Sequence, residues 1–569
     1  MLSPPTTVLA EPSAGAGTTV SPAKAAPAPV QDLGRALEGR PQSPPRRSRR
    51  GRTRPATSLE PALLGVAAVM TVVAVGLRFI GPKGLWLDEA LTVNISRLPV
   101  PTLFEALRHD GSPPLYYLLL HFWIGLFGTG THAVRALAGV LSVATLPVAW
   151  WLGRTIGGRR VASALVVVLA CDPFALRYGT ENRMYSLVML LSTLAALTLV
   201  RSLQRPTVTR LVSFGVVCGL LLLTHYWALY LIAALGAALL ITSVRGPVRS
   251  RSRLALAALC GGCGMFVPWV PSFLFQAAHT GTPWATPASP MMLVEAVGEF
   301  AGWEKHQGVA LFIVFVVAFG VVVVSALTTS VPRGRRLAAV VGWRRPVAGA
   351  RWIGPIAGVA FGTMCIAMVG GILASAAFAY RYASVVLPLV ALLVAIGIAA
   401  VGRSRAGVVA SAGILVAVAL MGTSAGASEI MDRRTQATVV AAQIAAAARP
   451  GDVVAYCPDQ LGPAVSRLLP DRLTQVTFPR WDDPRRINWV DYAQVNAAGS
   501  PGVFAHEVIN LAGHHRVWLV WESGYRTLGR SCEALRDTLM VSRPDYSQPV
   551  RSDSGRYYEH ESLMGFSPA

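Results

Sequence analysis

The chain has 569 residues, of which 53% are hydrophobic and only 14% are charged. Because soluble proteins carry about 25% charged residues, this composition excludes an ordinary soluble enzyme and predicts a multi-pass membrane protein. The net charge of +22 comes almost entirely from arginines, which cluster in short loops between apolar segments. That distribution is the positive-inside pattern of a bacterial plasma membrane protein, and it does not indicate a nucleic-acid partner.

The first segment, residues 1–58, is rich in Pro, Ala, Ser and Arg and contains a basic run from Pro44 to Arg50. No apolar segment precedes Pro61, so we predict a disordered, basic cytoplasmic tail and no signal peptide. Its basic end is expected to contact anionic headgroups of the lipid bilayer.

Residues 59–428 form the predicted transmembrane catalytic domain, with about eleven apolar segments near the length of a membrane span. The segments are near 61–80, 134–153, 161–178, 184–200, 211–224, 226–243, 254–276, 309–327, 353–379, 383–401 and 407–427. Segment 114–127 is also apolar, but it is short and begins with two prolines. If this segment lies along the membrane surface, the later arginine-rich loops, including those from Arg333 to Arg351 and at Arg403, all fall in the cytoplasm. The N-terminus is then inside and the C-terminus outside.

Residues 429–569 have a different composition, with alternating helix and strand patterns. Helices are predicted at Ala437–Ala448, Ala464–Leu469 and Cys532–Leu539, and strands at Asp452–Tyr456 and Val517–Trp521. The alternation predicts an extracytoplasmic α/β domain, which at about 140 residues is large enough for its own core. Cys457 and Cys532 lie in this domain, and the sequence leaves open whether they form a disulfide bond.

The predicted topology brings the main polar clusters of the membrane domain to its outer face. They are Trp86–Tyr117, Arg177–Tyr185, His225–Trp227, Glu295–His306 and Tyr380–Tyr382. The opposite face carries mostly arginines. The sequence therefore predicts a functional site at the outer membrane surface.

The adjacent carboxylates Asp88 and Glu89 follow the first span and are the candidate catalytic residues. A carboxylate so close to the bilayer is costly unless it has a function, and a partly desolvated one can act as a general base on an acceptor hydroxyl. Because neighbours in a helix point in different directions, only one is expected at the reacting atoms, and we favour Asp88. A salt bridge with Lys83 or Arg97 is the structural alternative.

The same loop offers four candidate substrate contacts, which are His109, Asp110, Tyr116 and Tyr117, and the later loop from Arg177 to Tyr185 adds Glu181 and Tyr185. The histidine and the aspartate precede Gly-Ser-Pro-Pro, so they can contact a sugar or an acceptor. Residues of this kind before prolines also favour turns and helix starts, and a helix cap is an equal alternative.

Candidate phosphate ligands come from three later loops. Arg183 follows the carboxylate Glu181 and precedes Tyr185, and the guanidinium fork matches phosphate oxygens. Arg381 lies between two tyrosines on the outer side, where the positive-inside rule does not predict an arginine. His225 can bind a phosphate or a sugar. Membrane-interface anchoring is the alternative for the arginines, and a structural role is the alternative for the histidine.

Other site chemistries have little support in the sequence. Trp303–His306 contains possible metal ligands, but their spacing is not that of a metal site, and we predict none. The sequence has no Walker loop, GxGxxG or GxSxG motif, so we expect no cofactor and no soluble nucleotide-sugar donor.

The order of the motifs resembles the GT-C superfamily. The motifs are Leu87-Asp88-Glu89, a Pro-Pro-Leu-Tyr-Tyr helix, Arg183-x-Tyr185 after the third span, and Arg381-Tyr382 followed by Leu387-Pro388. Over roughly residues 61–400 the chain is similar to the branch with protein O-mannosyltransferases, aminoarabinose transferases of lipid A and RgtA/B/C/D-like enzymes.

That resemblance implies an α-helical polytopic enzyme that transfers a sugar with inversion from a polyprenyl-phosphate donor. It also implies that Asp88 is the base and that Arg183 and Arg381 hold the lipid phosphate. The C-terminal α/β domain departs from the best-known members, which leaves the acceptor open.

We expect mannose as the sugar and a cell-envelope glycan or lipoglycan as the acceptor, with arabinofuranose as the alternative sugar. A lipid or glycan transporter is the competing class, although transporters place polar groups near the membrane midplane and often have paired halves. A glycan-binding scaffold remains a third interpretation of residues 429–569.

Overall fold

The computed structural model describes residues 59–245, 247–281, 288–330, 348–373, 379–402 and 404–568, with the backbone alone for residues 325–330. The predicted tail at residues 1–58, most of the loop from Arg333 to Arg351, and Arg403 lie outside the described residues.

The membrane part of the described chain is built from helices. They are α1 (Leu59–Leu77), α2 (Leu87–Ser96), α3 (Val100–Asp110), α4 (Leu115–Phe127), α5 (Thr131–Cys171), α6 (Pro173–Gly179), α7 (Tyr185–Gln204), α8 (Val208–Leu222), α9 (Ala228–Val244), α10 (Arg249–Cys263), α11 (Val270–His279), α12 (Met292–Ala301), α13 (His306–Ser330), α14 (Ala350–Leu373), α15 (Leu387–Val401) and α16 (Arg405–Met431).

Within the described residues, seven helical segments are long and apolar enough to cross a membrane. They are α1, α5, α7, the continuous segment Arg249–His279, His306–Val324, α14 and α16. Helix α5 is interrupted at Gly158, where φ is 82°, so it consists of two helices in succession. The shorter apolar helices α8, α9 and α15 account for the other predicted spans. Each predicted span overlaps an apolar helix, and the prediction of a helical multi-pass membrane protein is confirmed.

Helix α4 corresponds to the apolar segment that we predicted to lie along the membrane surface. Its 13 residues reach only about 20 Å, which is less than the roughly 30 Å of the hydrocarbon core. Tyr116 and Tyr117 on this helix are buried, whereas Phe122 and Leu126 are exposed. The helix is therefore shorter than the hydrocarbon core is thick, which fits a position along the membrane surface, and that placement stays a prediction.

The C-terminal part contains the predicted α/β fold. Its helices are α17 (Ala437–Ala447), α18 (Gly462–Ser466), α19 (Tyr492–Ala498), α20 (Pro501–Ala512) and α21 (Ser531–Ser542). Its strands are β1 (Arg433–Thr435), β2 (Val453–Cys457), β3 (Thr474–Thr477), β4 (Val517–Trp521), β5 (Tyr546–Val550), β6 (Tyr557–Glu559) and β7 (Ser562–Phe566).

Five of these strands form one mixed sheet in the order β3-β2-β4-β7-β5. Strand β2 runs parallel to β3 and β4, whereas β7 is antiparallel to β4 and β5. All residues of β2 and β4 are buried, as expected for central strands covered on both faces. A disulfide bond joins Cys457, at the end of β2, to Cys532 in α21.

A second, two-stranded sheet connects the α/β part to the membrane part. Strand β1 follows α16 almost directly and pairs in parallel with β6, with Thr435 opposite Glu559. The side chain of Glu559 in turn accepts a hydrogen bond from the backbone N–H of Leu87, at a distance of 3.0 Å. The small sheet therefore holds the C-terminal part against the start of α2.

Candidate active site

Asp88 lies in the first turn of α2, where a negative charge is favoured by the helix dipole. Its Oδ2 atom is 3.9 Å from Nε of Arg183 and 3.7 Å from Nη2 of Arg381. The three side chains are 18%, 12% and 19% exposed, so they are largely shielded but still reachable. Three distant segments of the chain thus bring one carboxylate and two guanidinium groups together, which leaves a net positive charge.

Arg183 is held in place by the helix that carries Asp88. Its Nη1 atom donates to Oγ1 of Thr92 at 2.8 Å and to the backbone oxygen of Asp88 at 3.4 Å. Among the described residues, Oδ2 of Asp88 and Nε of Arg183 have no hydrogen-bond partner. Buried polar atoms are normally paired, so these two retain capacity for a substrate.

A cavity of about 730 Å³ opens in front of Asp88. The membrane part contributes Trp86, Asp88, Asp110, Arg183, Arg381 and Tyr382 to its wall. The C-terminal part contributes Trp489, Glu522, Tyr525, Tyr558, Glu559 and His560. We call this space the reaction cavity, and it is formed jointly by both parts of the protein.

Asp110 is the second carboxyl group of the reaction cavity from the membrane part. Its Oδ2 atom accepts a hydrogen bond from the hydroxyl of Tyr117 at 2.9 Å. Burial raises the pKa of Asp110 above its ordinary value, and the nearby Arg183 guanidinium opposes that rise. The side chain is therefore oriented by Tyr117 and suited to contact a bound substrate.

Glu89, one residue after Asp88, lies in a different environment. Arg135 donates from Nε to Oε1 at 2.7 Å and from Nη2 to Oε2 at 2.5 Å, and the backbone N–H of Asn182 donates to Oε1 at 2.9 Å. Burial alone raises the pKa of Glu89, but the bidentate Arg135 outweighs it and keeps this pKa below its ordinary value. Glu89 is fully buried, does not line the reaction cavity, and pairs with neither Lys83 nor Arg97.

His225 lies between α8 and α9, near the two arginines of the site. Its Nδ1 atom accepts a hydrogen bond from the backbone N–H of Trp227 at 3.1 Å, so the proton of a neutral ring is on Nε2. Burial and the charges of Arg183 and Arg381 lower the pKa of His225 to about 3. His225 is therefore a neutral hydrogen-bond donor and not a cation.

Comparison with known proteins gives two independent findings. The family model described as dolichyl-phosphate-mannose-protein mannosyltransferase matches residues 111–271. The crystal structure of ArnT from Cupriavidus metallidurans in the apo state shares the fold, with a TM-score of 0.56 and 14% identity over 89% of this chain and 97% of that chain. ArnT bound to undecaprenyl phosphate gives a TM-score of 0.55 with the same identity and coverage.

A sequence search of curated proteins finds no significant match. The family match and the shared fold nevertheless agree with each other and with the resemblance read from the sequence. The chain is similar to GT-C proteins in its fold and, over residues 111–271, in its sequence.

Several predicted substrate contacts lie outside the reaction cavity. Glu181 is buried 3.5 Å from both Arg177 and Arg434, in the same ion-pair cluster as Glu89. Tyr116 is buried and donates to Oδ1 of Asn182 at 3.0 Å.

Two further predicted contacts do not line the reaction cavity either. The ring of Tyr185 packs against Tyr178, with 4.9 Å between the ring centroids. The ring of His109 is 41% exposed and its Nε2 atom is 3.6 Å from Glu105, at the surface. The structure thus brings Asp88, Asp110, Arg183 and Arg381 together at the cavity, and the predicted contacts that do not line it are His109, Tyr116, Tyr117, Glu181, Tyr185 and His225.

The cavity wall from the C-terminal part was not predicted from the sequence. Tyr558 packs edge-on against Trp86, with 5.6 Å between ring centroids, and Glu559 accepts the hydrogen bond from Leu87. The run Glu559-His560-Glu561 between short buried strands was the available indication, because charged residues are rarely buried without a role. In the described residues, no group of three or more His, Cys, Asp or Glu side chains could hold a metal ion.

Proposed function

We propose that this protein is a GT-C glycosyltransferase that transfers a sugar, most readily mannose, from a polyprenyl-phosphate donor to a cell-envelope glycan or lipoglycan. Asp88 is the general base and the sugar is transferred with inversion. One observation carries the proposal: Asp88 lies next to Arg183 and Arg381 in the wall of the reaction cavity.

The donor assignment is supported by the charge of the site. Two guanidinium groups face one carboxylate, and guanidinium groups match the oxygens of a phosphate. ArnT, which shares the fold, has been crystallised with undecaprenyl phosphate, and the matching family is named for a dolichyl-phosphate-mannose donor. That family description also favours mannose over arabinofuranose. The lipid phosphate is itself the leaving group, so the reaction requires no nucleotide outside the cell.

The transfer is a single displacement. The acceptor hydroxyl oxygen attacks the anomeric carbon of the sugar, and Asp88 removes the hydroxyl proton. The bond between the anomeric carbon and the phosphate oxygen breaks, and its electron pair leaves with the lipid phosphate. Arg183 and Arg381 stabilise the negative charge that develops there, which is electrostatic catalysis by groups already in position.

The remaining predicted residues divide into two groups in this proposal. Asp110, oriented by Tyr117, contacts the sugar or the acceptor, and His225 donates from Nε2 to the phosphate. Glu89, Glu181, Tyr116 and Tyr185 are framework residues that position α2 and Arg183.

The proposed orientation places the reaction cavity and residues 429–569 outside the cytoplasm, with the N-terminus inside and α4 along the membrane surface. The disulfide bond between Cys457 and Cys532 supports this, because such bonds persist in oxidising compartments. The arginine-rich loops at the opposite ends of the spans support it as well. We retain about eleven spans and a domain boundary near residue 428 as parts of this proposal.

The test uses the purified full-length protein, polyprenyl-phosphate mannose with a labelled sugar, and an envelope extract from a strain that lacks the protein. We expect label to move to the extract and Asp88→Asn to reduce the rate by about 10²–10⁴-fold, the usual contribution of a general base. Asp471→Asn is the matched control, because Asp471 is 88% exposed and does not line the reaction cavity.

Two outcomes would contradict the proposal. Full transfer by a correctly folded Asp88→Asn protein would remove Asp88 as the base. Faster transfer from polyprenyl-phosphate arabinofuranose than from the mannose donor would show that the sugar is arabinofuranose and not mannose.

A further inference from the structure

A second polar cavity lies beside the reaction cavity. It has a volume of about 480 Å³ and is lined by α6, by the segment from Glu299 to Lys305, by the end of α16 with β1, and by residues 554–558. We call it the side cavity. Tyr558 lines both cavities, and its ring is 69% exposed. A single exposed aromatic ring therefore forms the shared wall between two polar spaces.

The side cavity is highly charged but nearly balanced. Its cations are Arg177, Lys305, Arg433, Arg434 and Arg556, and its acids are Glu299, Glu304, Glu429 and Asp432. Several of these groups pair with one another, with 3.8 Å between Arg177 and Glu429 and 2.9 Å between Lys305 and Asp432. Because the opposite charges offset each other locally, the cavity does not favour a strongly charged ligand.

The remaining lining suits a ligand with both apolar faces and hydroxyl groups. Phe174, Tyr178, Tyr557 and Tyr558 contribute aromatic surface next to the ion pairs. Aromatic side chains offer an apolar face, while paired carboxylates and guanidinium groups can still donate or accept additional hydrogen bonds. A sugar ring has an apolar C–H face and a rim of hydroxyl groups, and it matches this combination.

Each cavity also has a buried donor that no described residue satisfies. Trp86 lines the reaction cavity, is 7% exposed and has a buried Nε1 without a partner, and Arg434 lines the side cavity, is 2% exposed and has a buried Nε without a partner among the described residues. An unsatisfied buried donor costs about 1–3 kcal/mol, so such groups usually have a partner in the functional complex. The two donors belong to the two cavities that share Tyr558, which favours one ligand that extends through both.

We propose that the reaction cavity and the side cavity form a single groove for the acceptor, and that the acceptor is a glycan chain of several sugars. The terminal sugar lies beside Asp88, the next sugar stacks on Tyr558, and the preceding sugar occupies the side cavity. This rests on the proposed function, and it specifies the acceptor as a largely uncharged oligosaccharide that is recognised over more than one residue.

The experiment measures how acceptor affinity depends on chain length. The probe is the envelope glycan from a strain that lacks the protein, cleaved with mild acid and separated into fragments of one to six sugars. With the full-length protein and polyprenyl-phosphate mannose, we expect KM to fall at least tenfold between one sugar and three or four. The kcat should change much less, because the added sugars contact no reacting atom.

Two variants test the groove itself. Tyr558→Ala should abolish most of the dependence of KM on length, and Arg556→Ala should weaken it by raising KM for fragments of three or more sugars. Arg556 is an exposed residue of the side cavity, so its removal is not expected to affect folding. Tyr546→Ala is the matched control, because this tyrosine is 42% exposed and lines neither cavity.

The outcomes separate this inference from the proposed function. If the wild-type protein transfers sugar with the same KM for every fragment length, the extended groove is wrong while the proposed function stands. If Arg556→Ala and Tyr558→Ala alter KM equally for all lengths, the two cavities are not one groove. If no fragment or intact glycan accepts sugar from the lipid donor, the proposed function fails and the groove fails with it.

Discussion

The reaction cavity around Asp88 and the buried cluster around Glu89 differ although they are built on consecutive residues. Asp88 keeps its two arginines at 3.7 and 3.9 Å, beyond ordinary hydrogen-bond distance, and it lines the cavity. Glu89 accepts three hydrogen bonds of 2.5–2.9 Å and is fully buried. The two carboxylates thus differ in their hydrogen bonding, since a carboxylate whose hydrogen bonds are already made has none left for a substrate.

The two carboxylates differ because consecutive side chains of helix α2 point in different directions. Successive side chains of a helix are about 100° apart, so one carboxylate faces the cavity and the other faces the helices behind it. The cluster behind α2 also includes Arg434 from β1, 3.7 Å from Glu89. The cluster therefore joins the membrane part to the C-terminal part, whereas the cavity is the space that they enclose.

The largest expected effect comes from a substitution in the buried cluster around Glu89. Glu89→Gln leaves the buried guanidinium of Arg135 without its counter-charge, and breaking a buried pair in this way costs about 3–5 kcal/mol. We expect the free energy of unfolding in detergent to fall by that amount, with near-normal transfer per folded molecule. Asp88→Asn is the comparison variant, with lost transfer and almost unchanged stability. A stable but inactive Glu89→Gln protein would instead make Glu89 a catalytic residue.

The second largest effect is expected from a substitution in the reaction cavity. Arg381→Gln removes one of the two charges proposed to stabilise the departing phosphate, and such losses reduce kcat by about 10²–10³-fold. Inhibition of transfer by added undecaprenyl phosphate should weaken in parallel. Arg485→Gln, an exposed arginine outside the cavity, is the control. If inhibition by undecaprenyl phosphate is unchanged in this variant, Arg381 does not bind the donor phosphate.

The sequence was most informative where a residue pattern is local. Apolar runs predicted the helices of the membrane part, and the continuous apolar runs in β2 and β4 predicted two central strands correctly. The loop charges predicted Asp88, Arg183 and Arg381 on the same side of the membrane, and the structure brings both arginines to Asp88.

The parts that the sequence did not reveal depend on contacts between distant segments. Arg135, the partner of Glu89, lies within an apolar helix 46 positions away, and its pairing depends on how α5 packs beside α2. Glu559 is separated from Leu87 by 472 positions. Strands as short as β6 have no periodicity to detect, so one wall of the reaction cavity could not be predicted.

The smallest expected effect comes from Glu559, which lines the reaction cavity and is close enough to both Asp88 and Glu89 to be affected by their charges. Its Oε1 atom accepts a hydrogen bond from the N–H of Leu87, a group at the start of α2 that has no partner within the helix. Glu559→Ala should therefore reduce stability by about 1 kcal/mol, as loss of a helix cap does. It should also lower kcat, because the cap orients the turn that carries Asp88. Glu559→Gln keeps an acceptor oxygen and should retain both.

The same residue makes stability depend on pH. Burial, reinforced by the negative charges of Asp88 and Glu89, raises the pKa of Glu559 from an ordinary 4.5 to about 8. The folded state thus favours the protonated acid, so its stabilising contribution is complete below pH 4.5 and is lost as the pH rises toward 8. The melting temperature of the wild-type protein should fall over this window, and that of Glu559→Gln should fall less. Glu561, which shares the buried site, would contribute the remaining slope, and equal slopes in wild-type and Glu559→Gln proteins would assign the titration to it.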